Sequence, residues 1–142
     1  MIKKIPIVLW FYQAISLFFI IAHAAGAYSY VVELFSSFTT TNFLGTALNF
    51  LALVFICTVI VGIWKRKVFA KFGAVFHSFL LFILAIYISI RGYLEFAPED
   101  IYYQIGYVAF YLLFTGTFLS IPLIIWKSKQ VNKFFTEPNR LA

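Results

Sequence analysis

The side chains able to do chemistry in this chain are few, and almost all lie inside long apolar runs. His23 and His77 are the residue type that holds metals and haem, and Gln13, Asn49, Tyr111 and Arg91 are the other polar positions of interest. An intramembrane polar residue is the default place to look for function. The two histidines differ in depth. Counted from the ends of the apolar runs, His23 falls in the outer part of the first and His77 near the inner end of the third, roughly 15–20 Å apart at 1.5 Å per residue. One metal holds its ligand nitrogens at about 2 Å, so one ion does not reach both. No metal site and no bound cofactor is expected. Cys57 is the single cysteine and sits in an apolar run, so it reads as an inert thiol and no disulfide forms within the chain. The one carboxylate pair, Glu99-Asp100, is adjacent and exposed, a helix-start signal rather than an acid/base pair. There is no phosphate-binding loop, dinucleotide fingerprint or nucleophile elbow, so no catalytic residue is assigned and the reading leans away from an enzyme.

The elements that carry these residues follow from composition. Of 142 residues, 63% are hydrophobic, 11% charged and 22% aromatic. A soluble domain is about 45–50% apolar and about 25% charged. No charged side chain occurs between Ile5 and Val32, Leu34 and Trp64, Phe72 and Ile90, or Ile101 and Trp126. Each run reaches or approaches the length of about 20 residues that crosses hydrocarbon. Unpaired backbone groups are too costly in lipid, so helix is the only reading of such runs, even across β-branched stretches. The expected fold is an all-α integral membrane protein: one domain of four transmembrane helices, at about 5–32, 42–64, 70–91 and 98–127, with a short tail at 128–142. Short connections make these two antiparallel hairpins.

Orientation follows from the cations. Lys3 and Lys4 precede the first helix, Lys65, Arg66, Lys67 and Lys71 join the second and third, and Lys127, Lys129, Lys133 and Arg140 follow the fourth. Arg91 falls at the other end, with Glu33, Glu95, Glu99 and Asp100. The positive-inside rule then places both termini in the cytoplasm. The formal charge of +6 is a topology signal rather than a nucleic-acid footprint, because the cations flank apolar segments. Ala22-His23-Ala24 and Ala25-Gly26-Ala27 imitate signal-peptide cleavage sites, but the preceding stretch is long for a signal and includes Trp10, Tyr12 and Gln13, so it is read as a retained helix.

Finer expectations attach to particular residues. Thr41 or Asn42 caps the second helix, and Pro98, Glu99 and Asp100 open the fourth. Gln13, Ser16, His23, Ala27 and Tyr30 share a face of the first helix, Gly45, Asn49 and Ala52 one of the second, Gly73, His77, Leu84 and Arg91 one of the third. Gln104, Tyr111, Thr115 and the Gly116-to-Ser120 step share one of the fourth. These stripes read as the seams of a bundle. Arg91 pairs with Glu33 across helices, or with Glu95 one turn on, or lines an outward pocket with Tyr87 and Tyr111. Val131, Phe134 and Phe135 form the apolar side of a short tail helix facing lipid headgroups. Ile63-Trp64-Lys65-Arg66-Lys67 with Lys71-Phe72 recurs as Ile125-Trp126-Lys127-Ser128-Lys129 with Lys133-Phe134 at one constant offset, the pattern of a duplicated hairpin.

The expected role is a non-enzymatic accessory or interaction subunit of a membrane complex. Its partners are membrane lipids and another membrane protein or further copies of itself, with no nucleic acid. The expected location is a bacterial plasma membrane. The alternatives are an oligomeric small-solute or ion transporter and a lipid-binding or lipid-modifying protein.

Overall fold

The structure is a computed structural model that describes residues 5–96 and 101–136. Those residues form five helices: α1 (Ile7–Ser36), α2 (Thr40–Trp64), α3 (Val68–Phe96), α4 (Ile101–Lys127) and α5 (Lys129–Thr136). The first four are long and apolar enough to cross a membrane. Even the 25-residue α2 spans about 38 Å, against about 30 Å of hydrocarbon. The chain is a membrane protein of helical-bundle type.

Local chemistry sets the helix ends. Thr39, not Thr41 or Asn42, caps α2: its hydroxyl accepts from the Asn42 backbone N–H at 3.1 Å, and Asn42 Nδ2 donates back to the Ser37 carbonyl at 3.3 Å. The earlier cap wins because α1 runs on to Ser36, past Glu33, leaving only three residues for the turn. At the other end of α2, Arg66 takes a left-handed conformation, φ 52°. Its N–H donates to the Ile63 carbonyl and that of Lys67 to the Gly62 carbonyl, the two bonds of a Schellman turn. Glycine is usual at such a position. Here the Arg66 guanidinium instead lies 4.9 Å from the centre of the Phe134 ring, a favourable cation–π contact. Pro122 is buried inside α4 without ending it. α3 also runs past Arg91 to Phe96: it continues through Gly92, and no proline lies between them. The expected Pro98-Glu99-Asp100 helix start lies outside the described residues.

Packing is concentrated at one end. α1 packs along α2 and α3 along α4, α2 meets α3, and α1 touches α4 lightly, so α1 and α3 stand diagonally. The core comprises Leu9 and Tyr12 of α1, Val59 and Ile63 of α2, Ala70 and Ala74 of α3, Ile121 and Ile125 of α4, and Val131, Phe134 and Phe135 of α5. All lie near the end that carries the basic residues. Past the level of Leu81 and Ala85, the buried side chains are Ala27 and Asn42, both within the α1–α2 pair. The two pairs therefore share little interior at the far end.

α5 is a helix, as its pattern predicts, but its apolar side does not face headgroups. Val131, Phe134 and Phe135 are buried against the bundle, and Lys71 Nζ donates to Asn132 Oδ1 at 2.5 Å. The bundle's own apolar end offers more contact than a headgroup layer does, so the helix folds back as a lid.

Phe134→Ala removes a buried ring from the one place where all five helices meet. It should lower the unfolding temperature of the detergent-solubilised protein, at a cost of roughly 3–5 kcal/mol. Phe35→Ala, at a site 89% exposed, should leave it unchanged when both are followed by circular dichroism.

Candidate functional site

Three clusters of polar side chains lie inside the apolar spans, each on a different helix contact. The deepest crosses the diagonal. The Tyr12 hydroxyl of α1 and Nδ1 of His77 of α3 share a hydrogen bond of 3.0 Å, and both residues are buried. The rings of Phe19 and Phe55 stand nearly perpendicular to the imidazole, at 6.1 and 6.3 Å between ring centres. Beside this pair, the hydroxyls of Ser16 and Ser78 are fully buried and, among the described residues, have no hydrogen-bond partner. Gln13 does not join the pair; its Nε2 donates to the Leu9 carbonyl one turn back at 3.1 Å.

The second cluster holds α1 to α2. Asn49 Nδ2 donates to the Gly45 carbonyl at 2.8 Å, and Asn49 Oδ1 lies 2.8 Å from Nδ1 of His23. A carbonyl only accepts, so the amide nitrogen faces Gly45 and the amide oxygen faces His23. His23 Nδ1 is then the donor and carries the proton. Gly26 makes room for this arrangement, since a Cβ there would stand 3.0 Å from Asn49 Oδ1.

The third cluster holds α3 to α4. Tyr107 donates its hydroxyl proton to the Gly92 carbonyl at 2.8 Å, which makes Tyr111 the donor in the 3.0 Å bond between the two phenols. Ser89 donates to the Ala85 carbonyl at 2.7 Å, so Thr115 donates to Ser89 at 3.1 Å. A groove of about 370 Å³ opens beside these groups, lined by Tyr111, Ser89 and Thr115 and otherwise by apolar and aromatic side chains including Tyr93. Arg91 and Tyr87 are not among its lining residues. Arg91 Nε donates to Glu95 Oε1 at 2.7 Å on an exposed surface. It thus takes the local partner rather than Glu33, which lies on the diagonal helix α1. An exposed pair of this kind adds little to stability.

The second and third clusters are related. The offset that carries Ile63-Trp64-Lys65 onto Ile125-Trp126-Lys127 also carries Tyr30 onto Gly92 and Gly45 onto Tyr107. In the first pair Tyr30 of α1 lies against Gly45 of α2, where a Cβ would stand 2.8 Å from its ring. In the second pair Tyr107 of α4 lies against Gly92 of α3. The same level is thus filled by one tyrosine and one glycine in both pairs, with the two exchanged between helices.

The structure places the other sequence-predicted positions as follows. Gln13, Ser16 and Ala27 are buried and His23 and Tyr30 half-buried, on one face of α1. The α3 seam is rotated from the expected one: Ala70, Ala74, His77, Ser78, Leu81 and Ala85 are buried, whereas Leu84 and Arg91 are exposed. Gly116 is exposed with nothing near it, so the Gly116-to-Ser120 step is not a seam within the chain. The histidines are closer in depth than expected. α1 starts at Ile7 rather than residue 5 and α3 at Val68 rather than residue 70, which removes about 6 Å of the expected difference. The Phe19 ring neighbours both imidazoles, its centre 6.5 Å from that of His23 and 6.1 Å from that of His77. Among the described residues, no three His, Cys, Asp or Glu side chains gather as a metal site.

Tyr12, Ser78, Ser89 and Tyr107 belong to these clusters and were not singled out from sequence. For Tyr12 a signal existed: it lies one turn from Ser16 and near the basic end of α1, as His77 lies toward that of α3. No protein-family model, curated protein or solved structure matches this chain.

Tyr12→Phe leaves His77 Nδ1 buried without its partner, and His77→Phe strands the Tyr12 hydroxyl. Each should destabilise the folded chain by about 1–3 kcal/mol. The double variant should lose less than the two losses combined, read from thermal unfolding in one detergent. Gly45→Tyr and Tyr30→Gly should each destabilise, the former by about 1–3 kcal/mol through overpacking. Combined, they recreate the order found in the other pair and should recover much of the loss.

Proposed function

We propose that this chain is a multi-pass membrane protein that acts through helix packing, as a non-enzymatic accessory or interaction subunit of a membrane complex. In this reading α1–α2 and α3–α4 are two antiparallel hairpins, both termini are cytoplasmic, and the membrane is a bacterial plasma membrane. The observation that carries the reading is how the intramembrane polar groups are used. His77 is bonded to Tyr12, His23 to Asn49, Tyr111 to Tyr107, and Gln13 to its own helix. Their polar atoms tie helix to helix or turn to turn, as interhelical hydrogen bonds do in bundles. They sit on separate helix contacts instead of lining one passage. The exposed surface is dominated by Phe, Leu and Ile, which suits lipid or the flank of another membrane protein.

Lipid binding, the second reading, draws on the groove beside Ser89, Tyr111 and Thr115 at the far end of α3 and α4. A lipid retained there through purification would favour it.

The test is purification of the tagged chain from its native membrane in mild detergent, with reporter fusions at both ends. A larger membrane protein should co-purify in fixed ratio, and both fusions should report the cytoplasm. Liposomes containing the chain alone should show no solute or ion flux. A flux abolished by His23→Ala or Asn49→Ala would replace this reading with transport.

A further inference from the structure

The Schellman turn between α2 and α3 divides three consecutive cations. Arg66, in the left-handed conformation, turns its guanidinium over Phe134 and toward the core. Lys65 and Lys67 go the other way and line the mouth of a groove of about 390 Å³. The floor is Thr58, Val61 and Gly62 of α2, and Phe69 of α3 forms a wall. Gly62 is what lets the wall stand there: a Cβ at that position would lie 2.7 Å from Ala70 Cβ and 2.8 Å from Phe69 Cζ.

The charged side chains at the groove are all of one sign. Lys65 and Lys67 are exposed, and the acids among the described residues, Glu33 and Glu95, are at the opposite ends of their helices. The positive end of the α3 dipole and the negative end of the α2 dipole meet here and offset each other, so the field at the mouth is that of the two lysines. The mouth lies at the level of Trp64, itself packed edge-on to Trp10 at 5.5 Å, where a bilayer passes from headgroup to hydrocarbon. The floor continues into the apolar span. An occupant must therefore carry an anion and a long apolar portion in one molecule.

The echo of this turn gives an internal comparison. The same offset places Lys127 and Lys129 where Lys65 and Lys67 stand, but puts Ile124 in place of Gly62 and the buried Val131 in place of Phe69. The second element repeats the two lysines without the glycine floor or the aromatic wall.

We propose that the groove at Lys65, Lys67 and Phe69 binds one anionic glycerophospholipid from the leaflet at the basic end, its phosphate between the two lysines and an acyl chain along Thr58, Val61 and Gly62. Basic pockets between transmembrane helices are suited to such headgroups. The site is independent of the subunit reading and stands whether or not the chain has a protein partner.

Native mass spectrometry of the full chain, released from micelles doped with phosphatidylglycerol or phosphatidylcholine, tests it. The wild type should retain one phosphatidylglycerol in preference to phosphatidylcholine. Lys65→Gln with Lys67→Gln should lower that retention about tenfold or more, given the attraction each cation supplies at an anionic surface. Thr58→Trp, which fills the groove and keeps both cations, should lower it as well. Lys127→Gln with Lys129→Gln should keep it, with circular dichroism showing all variants equally helical. Equal retention of the two lipids would overturn the proposal. So would an equal loss in the Lys127/Lys129 variant, which would mean diffuse charge attraction, or displacement of the lipid by inorganic phosphate, which would mean a site for the free anion.

Discussion

Hydrocarbon offers no hydrogen bonds, and most of this structure follows from that fact. It makes each apolar run a helix, because only a helix satisfies its own backbone. It also obliges each polar side chain within the spans to find a partner inside the chain. Ser29, Thr46, Thr58 and Thr117 turn their hydroxyls back onto carbonyls of the preceding turn. His23, Asn49, His77 and Tyr107 bond to a neighbouring helix and so become fasteners between helices, while Tyr111 bonds to Tyr107 one turn away on its own helix. Among the buried side chains of the described residues, the hydroxyls of Ser16 and Ser78 have no hydrogen-bond partner, which marks the level of the Tyr12–His77 bond as the least settled part of the interior.

The fasteners are unevenly distributed, and so is the apolar packing. At the basic end five helices share one core, closed by α5 and braced by Arg66 over Phe134 and Lys71 over Trp126. At the far end each helix pair is held by its own tyrosine-on-glycine contact and its own hydrogen bonds, with little burial between pairs. Strong contact within pairs and weak contact between them at one end leaves the two pairs freer to move there than at the closed end.

Legibility in the sequence tracked the range of the interaction concerned. The four spans were readable because they depend on the length of uncharged runs, and only their ends shifted: α1 and α3 run past Glu33 and Arg91, since one exposed charge does not stop a helix whose backbone bonds continue into water. The tail helix was readable from its period, but its burial was not, because where Val131, Phe134 and Phe135 rest depends on how much apolar surface the bundle leaves uncovered. The Gly116-to-Ser120 step shows the converse. Small residues permit close approach wherever they occur, and nothing in their spacing says whether the chain itself supplies the approaching helix.

What the sequence determined alone was a membrane-spanning, all-helical chain with its cations, Arg91 apart, gathered at one end, because hydropathy and charge act residue by residue whatever the packing. What only the tertiary structure decided was pairing: Tyr12 with His77, His23 with Asn49, Tyr107 with Gly92, and Gly62 with Phe69. Each pairing turns on the rotation and relative height of two helices. A slide of one turn, about 5.4 Å, would separate the partners while leaving every apolar run as it was.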